Sequence, residues 1–145
     1  MFNLNIKHLL LLRTMKILII ANIKKFIIES STTRLQFLNY LDTFDNICVA
    51  GPSTKYEYSD NINIIDLIKN VYDDENPDII IHYMIKPKGV FGKILVSGLN
   101  KINIKKCLWI EDIYHVEDYI RIIKLYNFSI LMLSIKNQLY KNRYL

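Results

Sequence analysis

Carboxylate, phenol and imidazole side chains occur together in one short segment of this 145-residue chain. They are Glu111, Asp112, Tyr114 and His115, and they come directly after the apolar run Cys107–Ile110. A short apolar run of this kind predicts a strand that is buried on both faces. In open α/β sheets, ligands bind beyond the carboxyl ends of the strands, so this segment is the main candidate site.

The chemistry of this segment suits proton transfer to or from a hydroxyl group. An imidazole that titrates near neutral pH can act as a general base, and so can a carboxylate. Asp112 and His115 are therefore the candidate catalytic residues, with Glu111 and Tyr114 as candidate substrate contacts. Asp112 can equally cap the helix that the sequence predicts over residues 115–127, by accepting a hydrogen bond from a main-chain N–H. Both roles stay open for Asp112.

Four other segments are apolar and rich in β-branched residues, without the alternation of a half-exposed strand. They are Lys16–Asn22, Asn46–Ala50, Asp78–Met84 and Ser129–Ser134. Such runs are typical of parallel strands that are covered on both faces.

Helical periodicity separates these strands. It is clear from Arg34 to Phe44, after a hydroxyl-rich start, and again over residues 64–72. A weaker helix is predicted over Lys93–Asn100, where Gly98 lowers the helix propensity. Strands that alternate with helices predict an α/β fold, namely a doubly wound, mostly parallel five-stranded sheet with helices on both faces, Rossmann-like and a single domain. The strand order 3-2-1-4-5 is the usual one, and 2-1-3-4-5 stays open.

Other polar or turn residues are expected at the same edge of the predicted sheet. Asn22, Gly51 and His82 lie at the ends of the first three predicted strands, and Ser31 belongs to the hydroxyl-rich segment before the first clear helix. These four are candidate substrate-binding residues. Three of them also have a commoner structural role: Ser31 as a helix cap, Gly51 in a turn with Pro52, and His82 as a hydrogen-bonded residue of the fold.

The net charge of +5 does not predict nucleic-acid binding. The excess basic residues lie in residues 1–14 and 136–145, so no basic stripe runs along the body of the chain. No apolar run reaches the roughly 20 residues that span a bilayer. Cys48 and Cys107 lie inside predicted strands, which favours free, buried thiols and a reducing, cytoplasmic setting. Without CxxC or HxxxH spacing, no metal site is predicted.

The order of several motifs resembles the N-terminal Rossmann-like domain of GT-B glycosyltransferases, in particular the CgeB, or spore-protein-like, group. The motifs are MKILIIAN, the strand end AGP with its KYEYSD loop, NIIDLIKNVYDDENPDIIIHYM and KKCLWIEDIYHVEDY. Pro77-Asp78 and the run Trp109-Ile110-Glu111-Asp112, followed by His115, match the pattern of the group. The resemblance covers residues 15–135. It leaves residues 1–14 as an N-terminal extension and residues 136–145 as a basic tail or the start of a truncated helix.

The resemblance implies the acceptor side of a sugar transferase, in which Asp112 and His115 line the cleft and Glu111 assists them. It implies no cofactor on this domain, because the nucleotide-sugar donor belongs to a second domain. Half a cleft cannot hold both substrates in reacting geometry, so the chain is expected to be inactive alone or half of a split transferase. The implied partners are a sugar or glycan acceptor, a separately encoded donor domain, or a second copy of the chain.

A different class of function, a non-enzymatic interaction or regulatory module of flavodoxin-like type, fits the same length and strand count. A receiver module would carry carboxylates after its first and third strands, where this chain has Ala21-Asn22 and His82-Tyr83. A flavin site would carry a Thr, Ser and Gly run directly after the first strand, and the residues after Asn22 lack one. Within this alternative, binding to another protein is the expected role.

Overall fold

The fold is described from a computed structural model of the chain. The described residues are 14–28, 30, 32–58, 62–73, 75–83, 96–110 and 116–133, with the main chain alone for 25, 26, 116 and 131–133. Within them the strands are β1 (Ile17–Ile20), β2 (Ile47–Ala50), β3 (Ile62–Asn63), β4 (Ile79–Tyr83), β5 (Val96–Ser97), β6 (Lys105–Ile110) and β7 (Ile130–Leu133). The helices are α1 (Ile23–Ile28), α2 (Thr32–Leu41), α3 (Ile64–Tyr72) and α4 (Val116–Tyr126), with a 3-10 turn over Leu99–Lys101.

Five of the strands form one sheet in the order β2-β1-β4-β6-β7, and the pairings that join them are parallel. The structure is therefore of the α/β class. Four of the five predicted strand segments contain one of these strands, and the fifth, Cys107–Ile110, forms the last four residues of β6. Counted along the chain, the strand order is 2-1-3-4-5, the less usual of the two orders considered from the sequence. Because the strands run in one direction, their carboxyl ends share one border of the sheet, which we call the carboxyl edge.

Alternate residues of the interior strand β1, together with Ala21, which follows it, face two separate apolar cores. Leu18 and Ile20 pack in a core that includes residues of α3 and α4. Ile19 and Ala21 pack in a second core that includes residues of α2. We call these two sides of the sheet the α3 face and the α2 face. Since apolar side chains cover both faces of β1, a polar residue has no place within it, which explains the unbroken apolar run.

The helices predicted between the strands are confirmed as α2, α3 and α4, with α2 ending at Leu41 rather than at Phe44. Helix α3 begins where the Asn63 side chain accepts a hydrogen bond from the Ile65 main-chain N–H at 2.9 Å. Its last residue, Tyr72, donates its hydroxyl to the Ile17 carbonyl oxygen at 3.1 Å. This bond ties the end of α3 to the start of β1, and burial raises the pKa of Tyr72.

Two segments differ from the sequence predictions. The predicted helix over residues 93–100 is wrong in its described part, which holds β5, paired with the short strand β3, and then the 3-10 turn. Gly98 has φ 79°, a left-handed conformation that interrupts an α-helix. The sequence analysis also assigned no element to residues 23–28, where the structure has α1. Among the described helices, none has the length and apolar character needed to cross a bilayer.

A buried glycine sets the turn that follows β2. Gly51 has φ 145°, and a Cβ atom at this position would overlap the main-chain oxygen of Ala21. The Gly51 N–H donates to the Thr54 hydroxyl oxygen at 3.1 Å and to the Tyr56 carbonyl oxygen at 3.2 Å. The Gly51 carbonyl in turn accepts from the Thr54 hydroxyl at 2.9 Å. The loop after β2 is therefore held against the end of β1 by contacts that only glycine permits.

Replacing Gly51 by alanine is expected to lower the free energy of unfolding by about 3 kcal/mol, because the new methyl group collides with rigid backbone and the residue keeps an unfavourable φ. Urea denaturation followed by circular dichroism measures this loss. Gly98→Ala is the matched control, since its Cβ would meet the Asn63 side chain at 3.1 Å, and a side chain can shift. The control should lose about 1 kcal/mol. Equal losses in the two variants would show that the collision with the Ala21 main-chain oxygen is not the main cause of the loss in Gly51→Ala.

Candidate functional site

The carboxyl ends of β1 and β4 lie side by side at the point where the order of the strands reverses. From β1 the chain moves to β2 on one side, and it then returns past β1 to β4 on the other side. The paired positions Ile20 and His82 mark the last rung between these two strands. In open α/β sheets, connections that diverge at such a point leave a crevice in which ligands bind. The crevice is thus expected between Asn22, which follows β1, and Tyr83, which ends β4.

Three of the candidate residues fall within the described part of the chain, and all three lie at or near the carboxyl edge. Asn22 is half-buried directly after β1, and Gly51 is buried directly after β2. The N–H and carbonyl groups of Gly51 are used within its own turn. His82 is the penultimate residue of β4 and is 3% exposed. Contact with a substrate stays a prediction for each of them.

The other candidates, Ser31, Glu111, Asp112, Tyr114 and His115, lie outside the described residues, and their roles stay predictions. The strand that leads into residues 111–115 is described. Strand β6 ends at Ile110, and Trp109 of β6 pairs with Tyr83 at the end of β4. The acidic segment therefore follows a strand end that is adjacent to the reversal point.

His82 is a neutral residue inside the core rather than an exposed base. Its neighbours Ile81 and Tyr83 belong to the core on the α2 face, so alternation places its ring on the α3 face. Burial lowers the pKa of His82 to about 3, and the main chain of Tyr83 opposes this shift only in part. Neither ring nitrogen has a hydrogen-bond partner within the described structure. The hydrogen-bonded structural role expected from the sequence is thus not provided by any described group.

An aromatic cluster that the sequence analysis missed lies at the same edge on the opposite face. The indole ring of Trp109 is 5.3 Å from the Phe37 ring and 5.3 Å from the Tyr83 ring, both in edge-to-face geometry. Phe37 and Tyr83 are 6.3 Å apart. The signal that could have revealed the cluster is the pairing of Tyr83 with Trp109, which depends on β4 and β6 being neighbours.

A groove of about 440 Å³ lies away from this edge, between the second half of α3 and residues 102–104. Ile65 and Ile68 contribute to its apolar wall, and Lys69 and Asp73 are among its polar residues. Next to it, the ammonium group of Lys106 is held by the carbonyl oxygens of Ile102 and Ile104 at 2.9 Å and 3.3 Å, and burial lowers the pKa of Lys106. These groups surround the amino ends of the strands, so they cannot serve a ligand at the carboxyl edge.

Within the described ranges, no group of three or more His, Cys, Asp or Glu side chains is arranged to hold a metal ion. Cys48 and Cys107 are free thiols, half-buried and buried respectively. Comparisons with protein families, with curated proteins and with solved structures give no match to this chain. A function must therefore be inferred from the sequence motifs and from the geometry of the carboxyl edge.

Acid is expected to destabilise the fold through His82. Its folded pKa of about 3 lies below the value of about 6.5 for an exposed imidazole, so below pH 6.5 the unfolded chain binds a proton that the folded chain does not. Above about pH 6.5 this difference in proton binding does not reduce the free energy of unfolding. Below it, the free energy of unfolding falls by about 1.4 kcal/mol per pH unit as the pH drops towards 3.

Urea unfolding at about pH 7 and about pH 5 tests this expectation on the wild-type protein and on the His82→Gln variant. The wild type should lose about 2 kcal/mol more than the variant between the two pH values. His8 and His115 are present in both proteins, so their contributions cancel in the difference. The same pH dependence in both proteins would show that His82 is not the titrating group.

Proposed function

We propose that this chain is a doubly wound, Rossmann-like domain of the kind that forms the acceptor side of GT-B glycosyltransferases. In this proposal it binds a sugar or glycan at the carboxyl edge. The observation that carries the proposal is the position of β6, whose end lies beside the end of β4 and leads into the acidic segment 111–115. Ligands of open parallel sheets bind at such an edge, next to the reversal of strand order.

The proposed chemistry starts from an acceptor hydroxyl held beside residues 111–115. His115 or Asp112 accepts the proton of this hydroxyl, while Glu111 and Tyr114 hydrogen-bond to the other hydroxyls of the sugar. The freed oxygen then attacks the anomeric carbon of a nucleotide-sugar donor that a second domain holds by its phosphates, and the bond from that carbon to the phosphate oxygen breaks, so that the nucleotide leaves with the bonding electrons. In this proposal the donor clamp belongs to a second domain, and the described domain contributes the acceptor side of the cleft.

A second candidate function is an interaction module of flavodoxin-like type, and the strand order is the observation that favours it. The order 2-1-3-4-5 is that of flavodoxin-like folds. Ala21 and Asn22 follow β1 where a receiver would have carboxylates, and β4 ends in His82 and Tyr83. Phosphotransfer is therefore disfavoured, and the module would act by binding another protein through its surface.

Saturation-transfer NMR with methyl glycosides and short oligosaccharides tests the first proposal on the whole chain. Binding is expected for the wild type and should weaken by about tenfold or more in Asp112→Asn and in His115→Gln, because each variant loses a charge or a base but keeps its shape. Asp73→Asn is the matched control. Asp73 is exposed at the end of α3, near the amino ends of the strands and away from the carboxyl edge, so binding should be unchanged.

Thermal unfolding of the same variants separates a site from a helix cap. If Asp112→Asn loses about 1 kcal/mol of stability while saccharide binding is unchanged, Asp112 is only a cap. If no saccharide binds to the wild type, the acceptor-side proposal is wrong and the interaction module is the better description.

A further inference from the structure

The groove beside α3 has a second wall that contains no helix. Residues 102–104 lie between the 3-10 turn and β6 and belong to neither a helix nor a strand. A single chain segment covers less of α3 than a neighbouring helix would, so Ile65, the second residue of α3, stays 58% exposed. The volume of about 440 Å³ lies within the range of roughly 300–1,000 Å³ that is typical of ligand-binding pockets.

This second wall is fixed from behind. The buried ammonium group of Lys106 donates hydrogen bonds to the carbonyl oxygens of Ile102 and Ile104, at 2.9 Å and 3.3 Å. The side chains of the same two isoleucines line the groove, opposite Ile65 and Ile68 of α3. The groove therefore has apolar walls on both sides, and a wall that is already held in place costs little to order when a ligand binds.

The polar residues of the groove carry charges of both signs. Lys69 and Asp73 lie four residues apart, yet among the described residues neither of their charged groups forms an ion pair. The chain leaves the helix at Asp73, which has φ 56°, so the pair that a continuous helix would favour is not made. Glu75 also lines the groove, but its carboxylate is paired with Lys16. One ammonium group and one carboxylate are thus available to a ligand.

The spacing of these two charges suits the two ends of a dipeptide. Because the Asp73 N–H still bonds to the Lys69 carbonyl oxygen, four residues of helix rise separate the two positions, about 6 Å. Two residues of extended chain span about 7 Å, whereas the two charged groups of a free amino acid adjoin a single carbon atom. The partial negative charge at the carboxyl end of α3 favours a cation beside Asp73.

We propose that this groove binds a dipeptide with aliphatic side chains. The ammonium group of the peptide pairs with the Asp73 carboxylate, its carboxylate pairs with the Lys69 ammonium group, and its side chains lie against the isoleucines of the two walls. Asn76 and Asn103 also line the groove, and their amides can hydrogen-bond to the peptide group. The groove lies near the amino ends of the strands, so this site is independent of the proposed sugar site at the carboxyl edge.

Isothermal titration calorimetry of the whole chain with L-leucyl-L-leucine at neutral pH tests the proposal. Saturable binding to the wild type is expected. Asp73→Asn and Lys69→Gln each remove one charge and should weaken binding by about tenfold. Asn tolerates a positive φ as Asp does, so the turn after α3 is kept. Asp66→Asn is the matched control, because Asp66 is an exposed acid of the same helix that does not line the groove, and its affinity should equal that of the wild type.

N-acetyl-L-leucyl-L-leucine, which lacks the ammonium group, identifies the partner of that group. It should bind the wild type about tenfold more weakly than the free dipeptide, but the two peptides should bind Asp73→Asn equally, because the same interaction cannot be lost twice. The same effect of acetylation in both proteins overturns the role of Asp73. The absence of dipeptide binding to the wild type overturns the site itself. Neither result depends on whether a saccharide binds at the carboxyl edge.

Discussion

The structure depends on the double burial of β1. This strand is hydrogen-bonded to β2 on one side and to β4 on the other, and its side chains enter two apolar cores alternately. An unpaired polar group inside it would lose its hydration without compensation, so polar chemistry is excluded from the strand and begins at Asn22. Strands β4 and β6 each contain a buried polar residue, His82 and Lys106, and Lys106 is compensated by donating to the carbonyl oxygens of Ile102 and Ile104.

The turn after β2 shows how the edge is shaped by main-chain packing rather than by side chains. Gly51 lies against the Ala21 carbonyl, and the Pro52 carbonyl accepts a hydrogen bond from the Lys24 N–H at 3.1 Å. The loop is thus fixed over the end of β1 on the side of β2. β2 is the edge strand of the sheet. On its outer border, the main-chain N–H of Val49 donates a hydrogen bond to the Asp42 carboxylate at 3.1 Å. These contacts fix the loop on the β2 side of the edge.

The sequence was sufficient to predict the five strands of the main sheet, because their central residues are apolar on both faces, whereas the two-residue strands β3 and β5 were not predicted. It did not decide the strand order, since a run such as Ile79–Ile81 suits either side of β1 equally well. For the same reason the aromatic cluster could not be predicted: Tyr83 and Trp109 are far apart in sequence and meet only through the β4–β6 pairing. Gly98 was recognised as lowering the helix propensity of residues 93–100, but the left-handed φ it adopts, after β5, excludes an α-helix over residues 96–100. The acidic segment was proposed as a site from residue types alone, and this stays a prediction.

The two faces of the sheet differ at the carboxyl edge, and this difference bears on the direction from which a ligand approaches. On the α3 face the position next to the edge is filled by the neutral ring of His82, which is almost fully buried and held at low pKa by that burial. On the α2 face the equivalent region carries the partly exposed rings of Trp109 and Phe37. A charged or hydroxyl-rich ligand gains nothing from entering beside His82, because it would have to displace packed core. Among the described residues, the carboxyl edge is therefore filled by packed core on the α3 face and carries partly exposed aromatic rings on the α2 face.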